Sequence, residues 1–130
     1  MKYEGINSGL AVERPRPGVV VVRLAGWDTG EFGDAPMKEL AKDLATGPIQ
    51  LFIDARAVKG ASIDVSNEWA QWLRANRARF AQISMLTASP FIQLTAKFVQ
   101  RFADLGELMR IYTDSTAFDT ALRAATSGSD

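Results

Sequence analysis

The sequence predicts a layered α/β domain, built on a mixed sheet of about four to six strands with about four helices. Short β-branched or apolar runs alternate along the chain with segments whose apolar residues recur at helical spacing. The 130 residues, of which 47% are hydrophobic and 23% charged, match the size and composition of one globular domain. This alternation is typical of βα units, in which helices cover the faces of a sheet.

The N-terminal part predicts short strands followed by one strong strand. Residues 3–6 and 10–13 alternate weakly and predict a strand or a hairpin. The proline-containing segment 14–18 is expected to break the chain, because proline lacks the N–H that a strand ladder needs. Residues 19–24 are mostly valine and predict a central strand, whereas the polar segment 27–33 predicts a loop.

A helix and a second central strand come next. Asp34 is the candidate N-cap of the helix, and the Gly-Pro pair at 47–48 ends it. Residues 49–53 are nearly all apolar, as expected for a strand that is covered on both faces. Asp54 is expected to end this strand, and 55–63 is expected to form a loop.

The remaining elements alternate in the same way. A helix is predicted over 65–80, with Ser62 or Asp64 as its cap. Because each strand–helix–strand step needs a right-handed crossover, the later strands should run parallel. The predicted elements that follow are a strand over 82–87, a helix over 90–105, a strand over 108–112 and a last helix that Ser115 caps.

The composition excludes several kinds of function. Fifteen Lys and Arg balance fifteen Asp and Glu, so the chain lacks the basic excess that is typical of nucleic-acid-binding proteins. It has no cysteine, which excludes disulfides, thiolate nucleophiles and zinc–thiolate sites. It has no histidine, which removes the commonest general base and metal ligand. We therefore expect no enzyme activity, no cofactor, no metal and no nucleic-acid partner.

Three segments resemble the STAS domain family of anti-sigma-factor antagonists, and their order and spacing matter more than any one of them. Residues 18–26 (Gly-Val-Val-Val-Val-Arg-Leu-Ala-Gly) resemble the first central strand of the family. Residues 49–54 (Ile-Gln-Leu-Phe-Ile-Asp) resemble its second central strand, which ends in aspartate, and residues 109–122 resemble its last strand and helix. The long helix predicted after Asp64 is more like the divergent SpoIIAA-like branch, which is related to the lipid-binding CRAL-TRIO fold.

The resemblance also implies a regulatory site. In the family, an Asp-Ser-Ser-Gly turn opens a helix, and a partner kinase phosphorylates its second serine. Asp64 and Ser66 match the aspartate and the phosphorylated serine, whereas Val65 and Asn67 depart from the family's serine and glycine. This match implies a non-enzymatic protein-interaction module, with a kinase or an anti-sigma-like factor as partner and Ser66 as the phosphorylation candidate. The alternative is that Asp64 or Ser66 only satisfies helix N–H groups.

Five further side chains are candidates for binding a partner or a ligand. Asp54 is expected at the carboxyl end of a parallel strand, where α/β folds place ligands, or else it bonds to loop N–H groups. The two tryptophans, three residues apart, either line a pocket, anchor a partner or belong to the core. The full candidate set is Asp54, Asp64, Asn67, Trp69 and Trp72.

The predicted helix after Ser89 is apolar over much of its circumference, which is typical of a helix covered on more than one side. Its excess apolar surface faces a larger core, a homodimer partner or a cavity for an apolar ligand. The last alternative gives a second hypothesis, a small-molecule or lipid carrier. The arginines at 74, 77, 79 and 101 form either a solvated face or an anion-binding face.

The chain has no repeat or internal linker, so we predict a single STAS-like domain over 1–126. The Ser/Gly-containing residues 127–130 are expected to form a disordered tail. The first residues are polar, with no signal region, and no stretch approaches the roughly 18 apolar residues of a membrane span. We therefore expect a cytoplasmic protein with no membrane span.

Overall fold

The structure is a computed structural model and describes residues 2–5 and 8–127. The strands are β1 Lys2–Glu4, β2 Ser8–Arg16, β3 Val19–Asp28, β4 Ile49–Ala61, β5 Phe80–Thr87 and β6 Met109–Tyr112. The helices are α1 Ala35–Leu44, α2 Ile63–Asn76, α3 Pro90–Phe102 and α4 Ser115–Ser127. The predicted α/β class, with a mixed sheet of six strands and four helices, is confirmed.

All six strands form one sheet, and their order in space is their order in sequence. The pairs β1–β2 and β2–β3 are antiparallel, so the chain begins with a meander. The pairs β3–β4, β4–β5 and β5–β6 are parallel, as the helical crossovers between them require. The carboxyl ends of β3, β4 and β5 therefore lie at one edge of the sheet, where α2 and α3 begin.

Helices cover the two faces of the sheet unequally. The larger buried cluster includes Leu40 of α1, Leu73 of α2 and Val99 of α3, so these three helices share one face, which we call the three-helix face. The smaller cluster lies on the opposite face, the α4 face, where Phe118 is fully buried. Successive strand residues point to opposite faces. This explains why 19–22 are all apolar and why 49–53 are apolar except for Gln50.

Two of the helices begin at serines that act as caps. The Ser62 hydroxyl accepts a hydrogen bond from the backbone N–H of Val65 at 3.1 Å, and it caps α2. The Ser89 hydroxyl accepts from Ile92 in the same way at 3.2 Å, and it caps α3. Asp34 precedes α1 without a side-chain cap bond. Of the two candidates for the α2 cap, the structure assigns the role to Ser62. The predicted cap of α4, Ser115, is instead the first residue of that helix, and the Asp114 carboxylate accepts from the Thr116 backbone N–H at 2.9 Å.

Three strand limits differ from the predicted ones. β2 continues through Pro15, because its register with β3 shifts between Glu13 and Arg16 and the missing N–H falls at the irregularity. β3 and β4 keep pairing as far as Asp28 and Ala61. The loop predicted over 55–63 is therefore largely strand, whereas only the first two residues of the loop predicted over 27–33 are strand. The physical reason is that these two segments supply ladder hydrogen bonds to each other beyond Ala55, the last residue of β4 that pairs with β5.

The helix predicted over 65–80 begins two residues earlier and ends four residues earlier than expected, because α2 spans Ile63–Asn76. α2 ends at Asn76, a 3₁₀ turn spans Arg77–Arg79, and Phe80 is the first residue of β5. α4 includes Ser127, and residues 128–130 of the predicted tail lie outside the described residues. Among the described residues, none of the helices combines the length and apolarity needed to cross a bilayer.

Candidate functional site

Ser66 lies in the first turn of α2, one turn after the cap residue. Its backbone N–H donates to the Ser62 carbonyl at 3.1 Å, which is the first bond of the helix. Its hydroxyl donates to the same carbonyl at 3.2 Å. The side chain is half-buried. Ser66 therefore does not cap α2, and its hydroxyl is held against the helix backbone.

The residues around Ser66 differ in exposure. Asp64 is exposed in the first turn, where a carboxylate interacts favourably with the helix dipole. Asn67 is half-buried. Ile63, which sequence reasoning did not single out, is 78% exposed at the first helical position. The start of α2 thus combines an exposed apolar side chain, an exposed carboxylate and a partly covered serine.

A cavity of about 80 Å³ lies between the three-helix face of the sheet, α2 and α3. Ser66 lines it together with Trp69 of α2 and Thr95 of α3. Its sheet side is apolar and includes Leu24, Ile53, Met85 and Met109. A cavity under the helix after Ser89 is one of the alternatives that the sequence predicts. The sheet residues that line it are not predictable from the sequence, because their convergence depends on the register of four strands.

The two tryptophans are packed rather than presented to solvent. The Trp69 ring meets the Trp72 ring edge-on, with centroids 6.3 Å apart. Trp72 in turn meets Phe80 edge-on at 5.9 Å. Both indoles are half-buried against the main core. Of the predicted alternatives, core packing describes both residues, and Trp69 in addition lines the cavity.

Asp54 is not at the end of its strand. β4 continues for seven residues beyond it, although the pairing with β5 ends one residue later, at Ala55. Ile53 lines the cavity on the three-helix face, so Asp54 points to the opposite face of the sheet. The predicted position at a strand end is therefore wrong, and Asp54 and Ser66 lie on opposite faces. A charged residue is tolerated within the strand because two arginines donate to its carboxylate. Arg23 is its partner on β3, and Arg56 follows it on β4.

The Asp54 carboxylate is 5% exposed and fully partnered. It accepts from Arg23 Nη1 at 2.6 Å, from Arg56 Nε at 3.0 Å and from the Arg56 backbone N–H at 3.1 Å. Arg56 also donates to Asp119 of α4 at 2.6 Å. This hydrogen bond holds the pKa of Asp119 below its usual value and raises the pKa of Arg56. The cluster links β3, β4 and α4, and it is a structural ion-pair network.

The α3 helix exposes one apolar row that sequence reasoning assigned to a covered surface. Ile92, Ala96 and Val99 are buried against the sheet. The opposite row, which we call the α3 stripe, consists of Phe91, Leu94, Phe98 and Phe102 and is exposed. Both rows recur every three or four residues, and the shift between them along the sequence places them on different sides of the helix. Within the described residues, no group of three or more acidic side chains is placed to hold a metal ion.

Comparisons with known proteins identify the fold. No family model matches the chain, and no curated protein matches its sequence. An uncharacterized DUF3478 protein with a SpoIIAA-like fold from Shewanella loihica is similar in structure, with a TM-score of 0.65, 15% identity, and coverage of 94% of this chain and 98% of that one. An anti-sigma factor antagonist from Mycobacterium paratuberculosis has a TM-score of 0.56 at 20% identity, covering 89% and 94%.

The phosphorylated form of the Bacillus cell fate determinant SpoIIAA is a third similar structure. Its TM-score is 0.55 at 20% identity, and the match covers 86% of this chain and 98% of that one. These similarities span most of this chain and nearly the whole of each of the other chains. The chain therefore has the SpoIIAA-like fold, as the resemblance to STAS domains predicts.

Proposed function

We propose that this protein is a non-enzymatic regulatory module that binds a protein partner through the start of α2, with phosphorylation of Ser66 as the switch. The observation on which the proposal depends is the position of Ser66 in the first turn of α2, at the cavity and beside the exposed Ile63 and Asp64. Anti-sigma factor antagonists share the fold, and one of them is known in a phosphorylated form. We place the action of the module in the cytoplasm, as a monomer or a homodimer.

A phosphate on Ser66 would change this surface in two ways. It would add roughly −1.5 to −2 charge units beside the Asp64 carboxylate. It would also remove the hydrogen bond to the Ser62 carbonyl, because the phosphoester oxygen has no proton to donate. A dianion is, in addition, not stable against the apolar wall of the cavity. The phosphate would therefore turn out toward water near Ile63, where it opposes an apolar contact with a partner. The free N–H groups of the first helical turn favour this position.

Val65, which stands where the family's turn has serine, and the position of the Ser66 hydroxyl limit how a kinase could reach Ser66. Val65 is 8% exposed and lines the cavity, so its side chain belongs to the packing of α2. The Ser66 hydroxyl is half-buried and engaged with Ser62. Phosphorylation therefore requires the first turn of α2 to open, which local fluctuation at a helix terminus permits.

The test is phosphorylation in cell extract with ATP, followed by peptide mapping by mass spectrometry. We expect one phosphate on Ser66 in the wild type and none in Ser66→Ala. Ser115→Ala is the matched control, because Ser115 is an exposed serine at the start of another helix, and this variant should still be phosphorylated. Phosphate on another residue, or no phosphate at all, rules out the switch.

The cavity supports a second candidate function, the binding of a small apolar ligand. Its volume of about 80 Å³ is well below the roughly 300–1,000 Å³ of pockets for drug-sized ligands, so it admits a small apolar group rather than a whole lipid. Native mass spectrometry after gentle purification should then show a retained apolar mass, which Thr95→Leu should displace by filling the cavity. A protein that is always empty would eliminate the carrier hypothesis.

A further inference from the structure

The α3 stripe is an unusual surface for a small domain. Phe91 and Leu94 are 61% and 66% exposed, and Phe98 and Phe102 are 45% and 40% exposed. The last two rings pack on each other with centroids 5.7 Å apart. At 1.5 Å per residue the row is about 16 Å long. Contiguous apolar surface of this kind, outside the core, marks an interaction site.

Cations border the stripe on both sides. Lys97 and Arg101 of α3 line a shallow groove on one side. Arg74 and Arg77 line a second groove together with Phe102, and Arg74 donates to the Phe102 carbonyl at 3.4 Å. In the described part of the chain, none of these four cations forms an ion pair with a carboxylate. The stripe is therefore apolar along its centre, with two cations on each margin and one acidic residue, Asp104, in the groove that Lys97 and Arg101 line.

The surrounding sequence has the same charge bias. Residues 63–102, which contain α2 and α3, have five basic and two acidic side chains, although the whole chain is neutral. The two acidic residues, Asp64 and Glu68, lie in the first half of α2. Positive charge is thus in excess on the two helices that form this surface, and the next acidic residues, Asp104 and Glu107, follow the end of α3.

The cations beside the stripe favour a lipid interface as its binding partner over a second copy of the chain. Two stripes that met about a twofold axis would place Lys97 and Arg101 of both copies along one seam, and like charges there are destabilising. The stripe is also a convex ridge, which a protein partner could receive only in a complementary groove. A lipid interface accepts a convex ridge of Phe and Leu without such a groove, and it places flanking cations at the level of the headgroups.

We propose that the α3 stripe docks on an anionic lipid membrane surface. Phe91, Leu94 and Phe98 enter the boundary between headgroups and acyl chains, while Lys97, Arg101 and the arginines of α2 contact lipid phosphates. Ile92 and Val99 keep α3 attached to the sheet, so the helix lies in the plane of the interface and the rest of the domain stays in water. This docking does not depend on phosphorylation of Ser66, and each can fail without the other.

The test is co-sedimentation of the full chain with vesicles of phosphatidylcholine and phosphatidylglycerol, and with vesicles of phosphatidylcholine alone. We expect binding to the anionic vesicles only, and weaker binding at high salt because the contacts with headgroups are screened. The double variant Lys97→Gln/Arg101→Gln should bind roughly thirty-fold more weakly, given the value of a cation near an anionic surface. Phe91→Gln/Leu94→Gln should lose about tenfold or more.

Two matched controls separate the stripe from general surface effects. Tyr3→Gln removes an exposed aromatic side chain on β1, and Lys38→Gln removes an exposed cation on α1. Both should bind like the wild type, and thermal unfolding should show that all variants are folded. If the wild-type protein does not co-sediment with anionic vesicles, the proposal is wrong, and a protein partner becomes the better explanation of the stripe. Equal binding to both kinds of vesicle, or a dimer that Phe91→Gln/Leu94→Gln dissociates, overturns it as well.

Discussion

Asp54 shows how a single buried charge can organise three elements. Its side chain is 7% exposed, whereas those of its partners Arg23 and Arg56 are 42% and 38% exposed. The carboxylate is thus taken out of water while both guanidinium groups keep part of their hydration. Arg56 extends the link to Asp119 on α4. A carboxylate with both oxygens engaged in this way anchors the strands and the helix that its partners belong to.

We expect Asp54→Asn to lower the free energy of unfolding by about 1–3 kcal/mol, because the amide loses charge-assisted hydrogen bonds to two arginines. Urea unfolding measures the change. Lys38→Gln is the control, because the Lys38–Asp34 pair is exposed on both sides and such pairs contribute about 0–1 kcal/mol. A loss for Asp54→Asn no larger than that of the control would contradict the structural role of the network.

The pH dependence of stability should show the contribution of Asp119. Its hydrogen bond with Arg56 holds its pKa in the folded state below the usual value. A depressed pKa stabilises the fold above the unfolded pKa of about 3.9, and this stabilisation is lost as the pH falls through the lower folded value. In Asp119→Asn, the free energy of unfolding should therefore fall less steeply between about pH 5 and about pH 2. An acid limb as steep as that of the wild type would show that Arg56 does not perturb Asp119.

At the scale of elements, the sequence predicts the centres of strands better than their ends. The alternation of Val19 to Val22 between two buried clusters makes β3 recognisable. β4 is different, because Asp54 and Arg56 interrupt its apolar run and the partners that neutralise them lie on β3 and α4. Local sequence contains no sign of those partners. The residues that line the cavity behind Ser66 could not be predicted for the same reason, because they belong to elements that are far apart in sequence.

The extended pairing of β3 with β4 depends on a close approach at Gly60. A Cβ at this position would lie 2.3 Å from the ring of Trp27, which crosses it from β3. Trp27 is 54% exposed, so its ring can swing away at the loss of its packing. We expect Gly60→Ala to cost about 1–3 kcal/mol by urea unfolding.

A double-mutant cycle tests the cause of that cost. In a Trp27→Ala background the penalty of Gly60→Ala should largely disappear, because the clashing ring is gone. Gly9→Ala is the matched control, since a Cβ there meets its neighbours at ordinary contact distance, 3.9 Å from Ala25. A penalty for Gly60→Ala that persists without Trp27 would assign the cost to the strand backbone instead.

For the whole molecule, the decisive feature is the unequal cover of the sheet. Three helices bury the larger cluster, and α4 alone covers the smaller one. The ring of Phe118 meets Phe52 and Tyr112 edge-on, with centroids 5.8 and 5.7 Å apart. Apart from Phe118, every fully buried member of the smaller cluster belongs to a strand. The docking of α4 thus depends mainly on one aromatic side chain.

This dependence predicts that α4 opens locally before the domain unfolds. We expect its amides to exchange through an opening of lower free energy than those of β4, because few apolar contacts hold it. Phe118→Ala should remove about 3–5 kcal/mol of packing and accelerate exchange in α4 first. Leu40→Ala, on the three-helix face, should instead lower protection across the central strands. Hydrogen exchange followed by mass spectrometry resolves the two cases, and equal protection of α4 and β4 in the wild type would show that the two faces unfold as one unit.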